Sequence, residues 1–272
     1  MHFKEKYLFS NENMEQQLFI YKNLVINFYY SNKSIKKNIV DIKNLCLFFP
    51  GLPNFINKEF FETRISKNTA FFSVYYYGTW LSGGKFTIAN CRKSVKTAIE
   101  FVKNKGGIKT YDKKEIAWNF QNLYVLGYSF AGNPILKTNI NRKDVKAVLL
   151  YSPQIYLDKK EVKTILGREK ATNFFKFNKS HLQFLQRTHF RVLRGITNIS
   201  WFRYFCGEDS SSRISISSQY PKIVIYHGLK DEMVNPAFSK YFHKTYKNIS
   251  RLFLIKKMGH DKELFKLNHL QR

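Results

Sequence analysis

Two hydrophobic rhythms alternate along the chain. Short runs rich in β-branched and aromatic residues, apolar on both faces, are bounded by Gly, Pro, Asn or Ser. They are NLVINFYYS (residues 23–31), NLCLFFPG (44–51), TAFFSVYYYG (69–78), NLYVLG (122–127), VKAVLLYS (145–152), PKIVIYHG (221–228) and RLFLIKKMG (251–259). Between several of them, apolar positions return every three or four residues. Val95, Ala98, Ile99 and Val102 do so ahead of Gly106, which predicts an amphipathic helix stopped by the glycine. PAFSKYFHKTY (236–246) predicts another helix, NKEFFETRIS (57–66) a helical turn or two, and roughly the first twenty residues a short amphipathic lead-in. Strands apolar on both faces, with helices between them, predict an α/β fold with a mostly parallel central sheet covered on both sides.

One stretch breaks the alternation. Residues 154–219 contain no convincing strand but carry helical runs such as HLQFLQRTHFRVLRG (181–195). An insertion of that length between two sheet strands is usually a functional lid or a disordered loop. Its aromatic residues, among them Phe174, Phe184, Trp201 and Tyr204, favour a folded helical lid. The expected division is one core domain from residues 1–153 and 220–272, with 154–219 as the lid.

In open α/β sheets, chemistry collects where strands end at their carboxyl termini. Three such ends carry polar residues of distinct type: Ser129 after NLYVLG, Asp231 after PKIVIYHGLK, and His260 after RLFLIKKMG. A serine hydroxyl is a weak nucleophile and needs a base within hydrogen-bond reach. An imidazole can take that proton and return it, and a carboxylate can fix the imidazole's tautomer. Ser129, His260 and Asp231 are therefore the candidate nucleophile, base and acid. Glu232, Asp158 and Asp209 compete for the acid role, and His227 and His269 for the base; His227, at a strand end before a glycine, reads as structural.

The chain order Ser, Asp, His and the surrounding motifs resemble the serine hydrolases of the α/β-hydrolase superfamily. GYSFAG (127–132) is similar to the nucleophile elbow, FFPGLP (48–53) to the oxyanion loop, HGLKDEMV (227–234) to the acid turn and MGH (258–260) to the histidine loop. The resemblance runs from about Leu24 to the end of the chain. It implies an α/β-hydrolase fold and an oxyanion hole built from the backbone N–H groups of Phe130 and Leu52. Two departures stand out: Pro50 where the family usually has His, and Ala131 where Gly is commonest. The implied function is cleavage of a carboxylic ester, thioester or similar acyl bond through an acyl-enzyme intermediate. An acyltransferase or peptidase would use the same triad, and a non-catalytic hydrolase-fold protein would bind a partner through a basic surface. Superfamily activities that use Asp at the elbow, dehalogenation and epoxide hydrolysis, are disfavoured by Ser129.

Composition changes the picture little. The net charge is +27, but the lysines are scattered along the whole length among Asn, Ile, Phe and Tyr. That is the pattern of a solvated surface, so no specific nucleic-acid partner is expected. The arginines are more localised. Arg187, Arg191 and Arg194 fall at i, i+4 and i+7, which predicts one helix face bearing three guanidiniums, with Phe184, Leu185, Val192 and Leu193 opposite. Such a row suits an anionic acyl substrate or peripheral contact with an anionic surface. The three cysteines (Cys46, Cys91 and Cys206) are widely spaced and form no CxxC pair, so neither a disulfide framework, a metal site nor a cofactor is expected. The N-terminal residues have no continuous apolar region of the secretory kind, and no run nears the ~18 apolar residues of a spanning helix. A cytoplasmic setting is the resulting expectation.

Overall fold

A computed structural model describes residues 14–53, 61–62, 64–104, 108–109 and 115–260. Its frame is a sheet in the order β1-β2-β5-β4-β7-β8-β9-β10. The strands are β1 (Met14–Tyr21), β2 (Leu24–Ser31), β4 (Ile39–Phe49), β5 (Thr69–Tyr75), β7 (Glu115–Tyr128), β8 (Ala147–Tyr151), β9 (Lys222–Gly228) and β10 (Ser250–Ile255). Two-residue strands β3 (Ile35–Lys36) and β6 (Ile108–Lys109) pair antiparallel with β4 and β7. From β5 to β10 every neighbouring pair is parallel; β1 and β2 add an antiparallel edge.

Residues 14–21, expected to be part of an amphipathic lead-in, are instead this edge strand. Lys22 and Asn23 adopt positive φ (49° and 65°) and join β1 to β2 in a two-residue hairpin. Paired left-handed residues give the turn whose twist matches flanking strands.

The remaining strands fall where the apolar runs lie. All eight residues of β2 are buried, as expected of a strand covered on both faces. Helix α1 (Ile88–Lys103) is capped by Thr87, whose side chain accepts the Asn90 N–H, and it buries Val95, Ala98 and Val102 against the sheet. Beneath it lies an aromatic cluster: Phe28 stacks on Phe72 at 4.1 Å, and Trp118 meets Phe72 edge-on at 5.0 Å. The Trp118 indole donates to the Val102 carbonyl (2.9 Å), so this large side chain is buried with its polar atom satisfied. NKEFFETRIS lies partly outside the described residues; Phe61 and Glu62 are helical.

Between β8 and β9 come α3 (Lys159–Leu166), α4 (Arg168–Thr188) and α5 (Ile199–Phe205), while α2 (Gly132–Lys137) follows β7 and α6 (Pro236–Thr245) joins β9 to β10. The inserted segment is tied to the core. Trp201 of α5 stacks on Phe86 at 4.5 Å and donates its indole N–H to the Phe86 carbonyl (2.8 Å). No helix among the described residues is long and apolar enough to cross a membrane.

Candidate active site

The chain leaves β4 towards β5 and leaves β7 in the opposite direction towards β8, so the winding reverses between these two neighbours. Ligand crevices in such sheets open beyond the carboxyl ends of strands at a reversal of this kind. Phe49 and Gly127 are register partners, as are Gly127 and Leu150. The turn after β4 and the turn after β7 are therefore adjacent.

Ser129 follows β7 directly, with φ at +52°. A non-glycine residue there is uncommon and costs on the order of 1 kcal/mol or more, so the surroundings must hold it. They do so by close packing. A β-carbon on Gly127 would meet the Ile135 Cδ1 at 2.4 Å, and one on Gly51 would meet the Ser129 Cβ at 2.9 Å. The Ser129 carbonyl also accepts the Gln154 N–H (2.7 Å) from the segment after β8.

Ser129, His260 and Asp231 form one hydrogen-bonded chain. His260 Nε2 lies 2.9 Å from the Ser129 hydroxyl, and His260 Nδ1 lies 2.8 Å from Asp231 Oδ2. A carboxylate only accepts, so Nδ1 carries the hydrogen and Nε2 is left to accept from Ser129. The other carboxylate oxygen accepts the backbone N–H groups of Met233 (3.0 Å) and Val234 (2.8 Å). Burial pushes the Asp231 carboxyl upwards, but hydrogen bonds from His227, His260 and the Val234 N–H outweigh it and hold the group well below the usual carboxylate range. Asp231 is thus a fixed anion facing an imidazole.

Compared by sequence, the chain matches no protein-family model and no curated protein. Its structure is similar to several solved ones. Alpha/beta hydrolase domain-containing protein 10 from mouse superposes with a TM-score of 0.54 at 16% identity, covering 93% of this chain and 94% of that one. The chain has the α/β-hydrolase fold. An esterase (EaEST) from Exiguobacterium antarcticum gives 0.56 at 15% identity over 93% and 95% of the two chains. Est1E from Butyrivibrio proteoclasticus gives 0.53 at 17% identity over 92% of each.

Within this hydrolase fold, the other sequence candidates separate. Phe130 follows Ser129 in the same turn, and Leu52 follows Gly51, whose added β-carbon would stand 2.9 Å from the Ser129 Cβ; the Tyr76 hydroxyl donates to the Pro50 carbonyl (3.3 Å) in that loop. Asp158 caps α3 in a reciprocal arrangement with Glu161, and Asp209 caps a short turn at 210–212, so both are engaged away from His260. Glu232 is exposed. His269 lies outside the described residues.

The arginine row requires correction. α4 ends at Thr188, so only Arg187 is helical; Arg191 and Arg194 lie in the turns beyond it. The segment is bent away because it pairs with the loop after β5: Trp80 N–H donates to the Val192 carbonyl (3.1 Å), and Arg194 N–H to that of Gly78 (2.8 Å). The Arg194 guanidinium donates to the carbonyls of Trp80 and Ser82, which makes it a tie between two loops. Leu185 and Leu193 are buried, but Phe184 is exposed.

Three contributions were not legible from motifs. His227 is fully buried, with Nε2 2.9 Å from the Val234 carbonyl and 3.2 Å from Asp231 Oδ2, and Nδ1 2.7 Å from the Ser239 hydroxyl. Both partners of Nε2 only accept, so that nitrogen carries hydrogen and supports the Asp231 anion. Tyr128, beside the serine, donates its hydroxyl to the His260 carbonyl and places its ring 5.3 Å from the imidazole. His181 of α4 is half-buried, and its pKa is held below the ordinary value by burial first and by the charge of His260 second.

Proposed function

We propose that the chain is a serine hydrolase cleaving a carboxylic ester or thioester through an acyl-enzyme intermediate. One observation carries this reading: Ser129, held at positive φ on the elbow, reaches His260 Nε2 at 2.9 Å while His260 Nδ1 reaches the buried Asp231 at 2.8 Å.

In the first step the Ser129 oxygen attacks the substrate carbonyl and its proton passes to His260 Nε2. Asp231 stabilises the imidazolium formed. The negative charge on the carbonyl oxygen is met by the backbone N–H groups of Phe130 and Leu52, each contributing about 3 kcal/mol in the transition state. Collapse of the adduct expels the alcohol or thiol, which takes the proton from His260. Water then repeats the sequence on the acyl-serine, with His260 as base. The core is residues 1–153 and 220–272, and the helices of 154–219 act as a lid over the crevice.

Labelling by a fluorophosphonate probe tests the assignment. Modification confined to Ser129, and lost in Ser129→Ala, is the expected result. A folded wild-type protein that stays unlabelled would sink it, and salt-sensitive binding of an anionic partner would then favour a non-catalytic role.

A further inference from the structure

Phe130, whose N–H the hydrolase reading gives to the oxyanion hole, has a buried ring held from two sides. Tyr76 (5.8 Å) and Phe86 (6.2 Å) face it from the loop after β5, and Trp201 (5.7 Å) and Tyr204 (6.2 Å) from α5 of the inserted segment. The helix that follows, α2, is tied to the same segment. Asn133, wholly buried, donates its side-chain N–H to the Ser212 carbonyl (3.1 Å), and the Lys137 ammonium donates to the Arg213 carbonyl.

Ser212 is fixed in turn by two charges. Its hydroxyl accepts from the Arg92 guanidinium of α1 (2.6 Å) and donates to Asp209 Oδ2. A guanidinium only donates and a carboxylate only accepts, so the hydrogens run one way, from Arg92 through Ser212 to Asp209. The other Asp209 oxygen accepts the Ser211 N–H (3.0 Å) and hydroxyl (2.6 Å). Burial acts first and raises the Asp209 carboxyl, but the bonds from Ser211 and Ser212 and the Arg92 charge outweigh it and hold the group below its ordinary value. Arg92 is also joined to the far end of α2, where its backbone carbonyl accepts the Thr138 hydroxyl (3.4 Å). Such a relay adds little net stability. Desolvation offsets much of the attraction between the charges, and Arg92 Nε and the Tyr204 hydroxyl are sealed from solvent with no hydrogen-bond partner. What it supplies is direction, because charge-assisted bonds with fixed hydrogens admit one arrangement of the three elements they join.

We infer that Arg92 and Asp209 are positioning residues for the oxyanion hole: through Ser212 and Asn133 they lock α2, and with it the Phe130 N–H, against α1 and the inserted segment. This rests on the serine-hydrolase reading and extends it to a pair outside the triad, which acts through other residues and not on the reacting atoms. It also gives Asp209 a role other than that of the acid. The inserted segment then does more than cover the crevice: its stretch from Trp201 to Arg213 is a buttress on the elbow helix.

The test uses the full-length protein and two reactions: labelling of Ser129 by a fluorophosphonate, whose phosphoryl oxygen uses the same donors as a substrate oxyanion, and turnover of p-nitrophenyl acetate. Arg92→Gln and Asp209→Asn are each expected to lower the maximal labelling rate and kcat on the order of tenfold, with half-saturating concentrations unchanged within about twofold. The acid limb of the pH profile is expected to stay in place, because Ser129, His260 and Asp231 are untouched. Arg92→Lys, which keeps a charged donor, is expected to recover part of the loss. The double variant is expected to lose no more than either single one, since the pair acts as a unit. Losses that multiply in the double variant would overturn the inference. So would a lowered melting temperature with unmoved rates of the folded fraction, the result of a purely structural pair. Labelled wild type with unmoved variants removes the positioning assignment alone, whereas folded wild type that stays unlabelled removes the hydrolase reading and this assignment with it. Circular dichroism reports folding; if Arg92→Gln unfolds, the isosteric Asp209→Asn at its half-buried position decides the matter by itself. Where the acetate ester is not turned over, the labelling rates decide.

Discussion

His227 Nε2 stands 3.2 Å from Asp231 Oδ2, with both side chains sealed from solvent. The same carboxylate oxygen faces His260, so one buried anion is shared by two imidazoles. Removing the inner one leaves the outer geometry nominally intact but takes a donor from the anion. A hydrogen bond to a charged group contributes about 2 kcal/mol, or roughly 30-fold in rate if it is felt fully in the transition state. His227→Gln is therefore expected to lower kcat by one to two orders of magnitude with KM little changed. A purely structural role would instead lower the melting temperature and leave kcat of the folded fraction unmoved.

Asp231 also links stability to pH. Its folded-state pKa is depressed, so the unfolded chain binds the proton more readily. The stabilisation is fully present above the unfolded carboxylate value of about 3.9 and is lost as pH falls through the lower folded value. Wild type and Asp231→Asn are expected to differ most in melting temperature near neutral pH and to converge below about pH 4. A gap that stays constant from pH 7 to pH 3 would contradict this linkage.

Sequence pattern made the frame of the fold legible where burial is two-sided. β2, β5, β8 and β9 coincide with apolar runs because both faces of each strand are covered. β7 is different. NLYVLG marks only its second half, while residues 115–121 alternate, with Ile116 and Trp118 buried and Glu115, Asn119 and Gln121 exposed. That period-two signal is weaker than a continuous run. At the candidate site, Ser129, Asp231 and His260 could be proposed because strand ends are local features. His227 and Tyr128 act through contacts made only after folding: one across the acid turn, the other from the elbow to the histidine loop. The end of α4 was illegible for the same reason. Helical spacing continues past Thr188, and what bends the chain is its pairing with residues 78–86, more than a hundred positions earlier.

That pairing separates the three arginines. Arg187 and Arg191 are exposed, and Arg191 has a cation–π contact with neighbouring Phe190 at 5.7 Å. Replacing either by Gln is expected to change stability by no more than about 0.5 kcal/mol. Arg194→Gln breaks the guanidinium ties to the Trp80 and Ser82 carbonyls and is expected to cost about 1 kcal/mol, the exposure of the side chain moderating the loss. Urea unfolding of the three single variants checks the order; equal midpoints would mean that the tie contributes nothing.

The histidine loop depends on one missing side chain. A β-carbon on Gly228 would stand 2.3 Å from the Met258 carbonyl oxygen and 2.4 Å from that of Gly259. Both obstacles are backbone, so no rotamer change relieves them. The same loop is held by the Lys230 N–H, which donates to the Met258 carbonyl (2.9 Å), and by the Tyr128 hydroxyl on the His260 carbonyl. Gly228→Ala must push residues 258–260 away from β9 and carry His260 off Ser129. Overpacking of this kind costs about 1–3 kcal/mol of stability, whereas a displacement near 1 Å at a reacting group can cost about 100-fold in rate. The variant is expected to fold with a modestly lowered melting temperature and to lose at least tenfold in both esterase kcat and the rate of Ser129 labelling. Full activity in a folded Gly228→Ala protein would show that His260 need not sit where the loop now holds it.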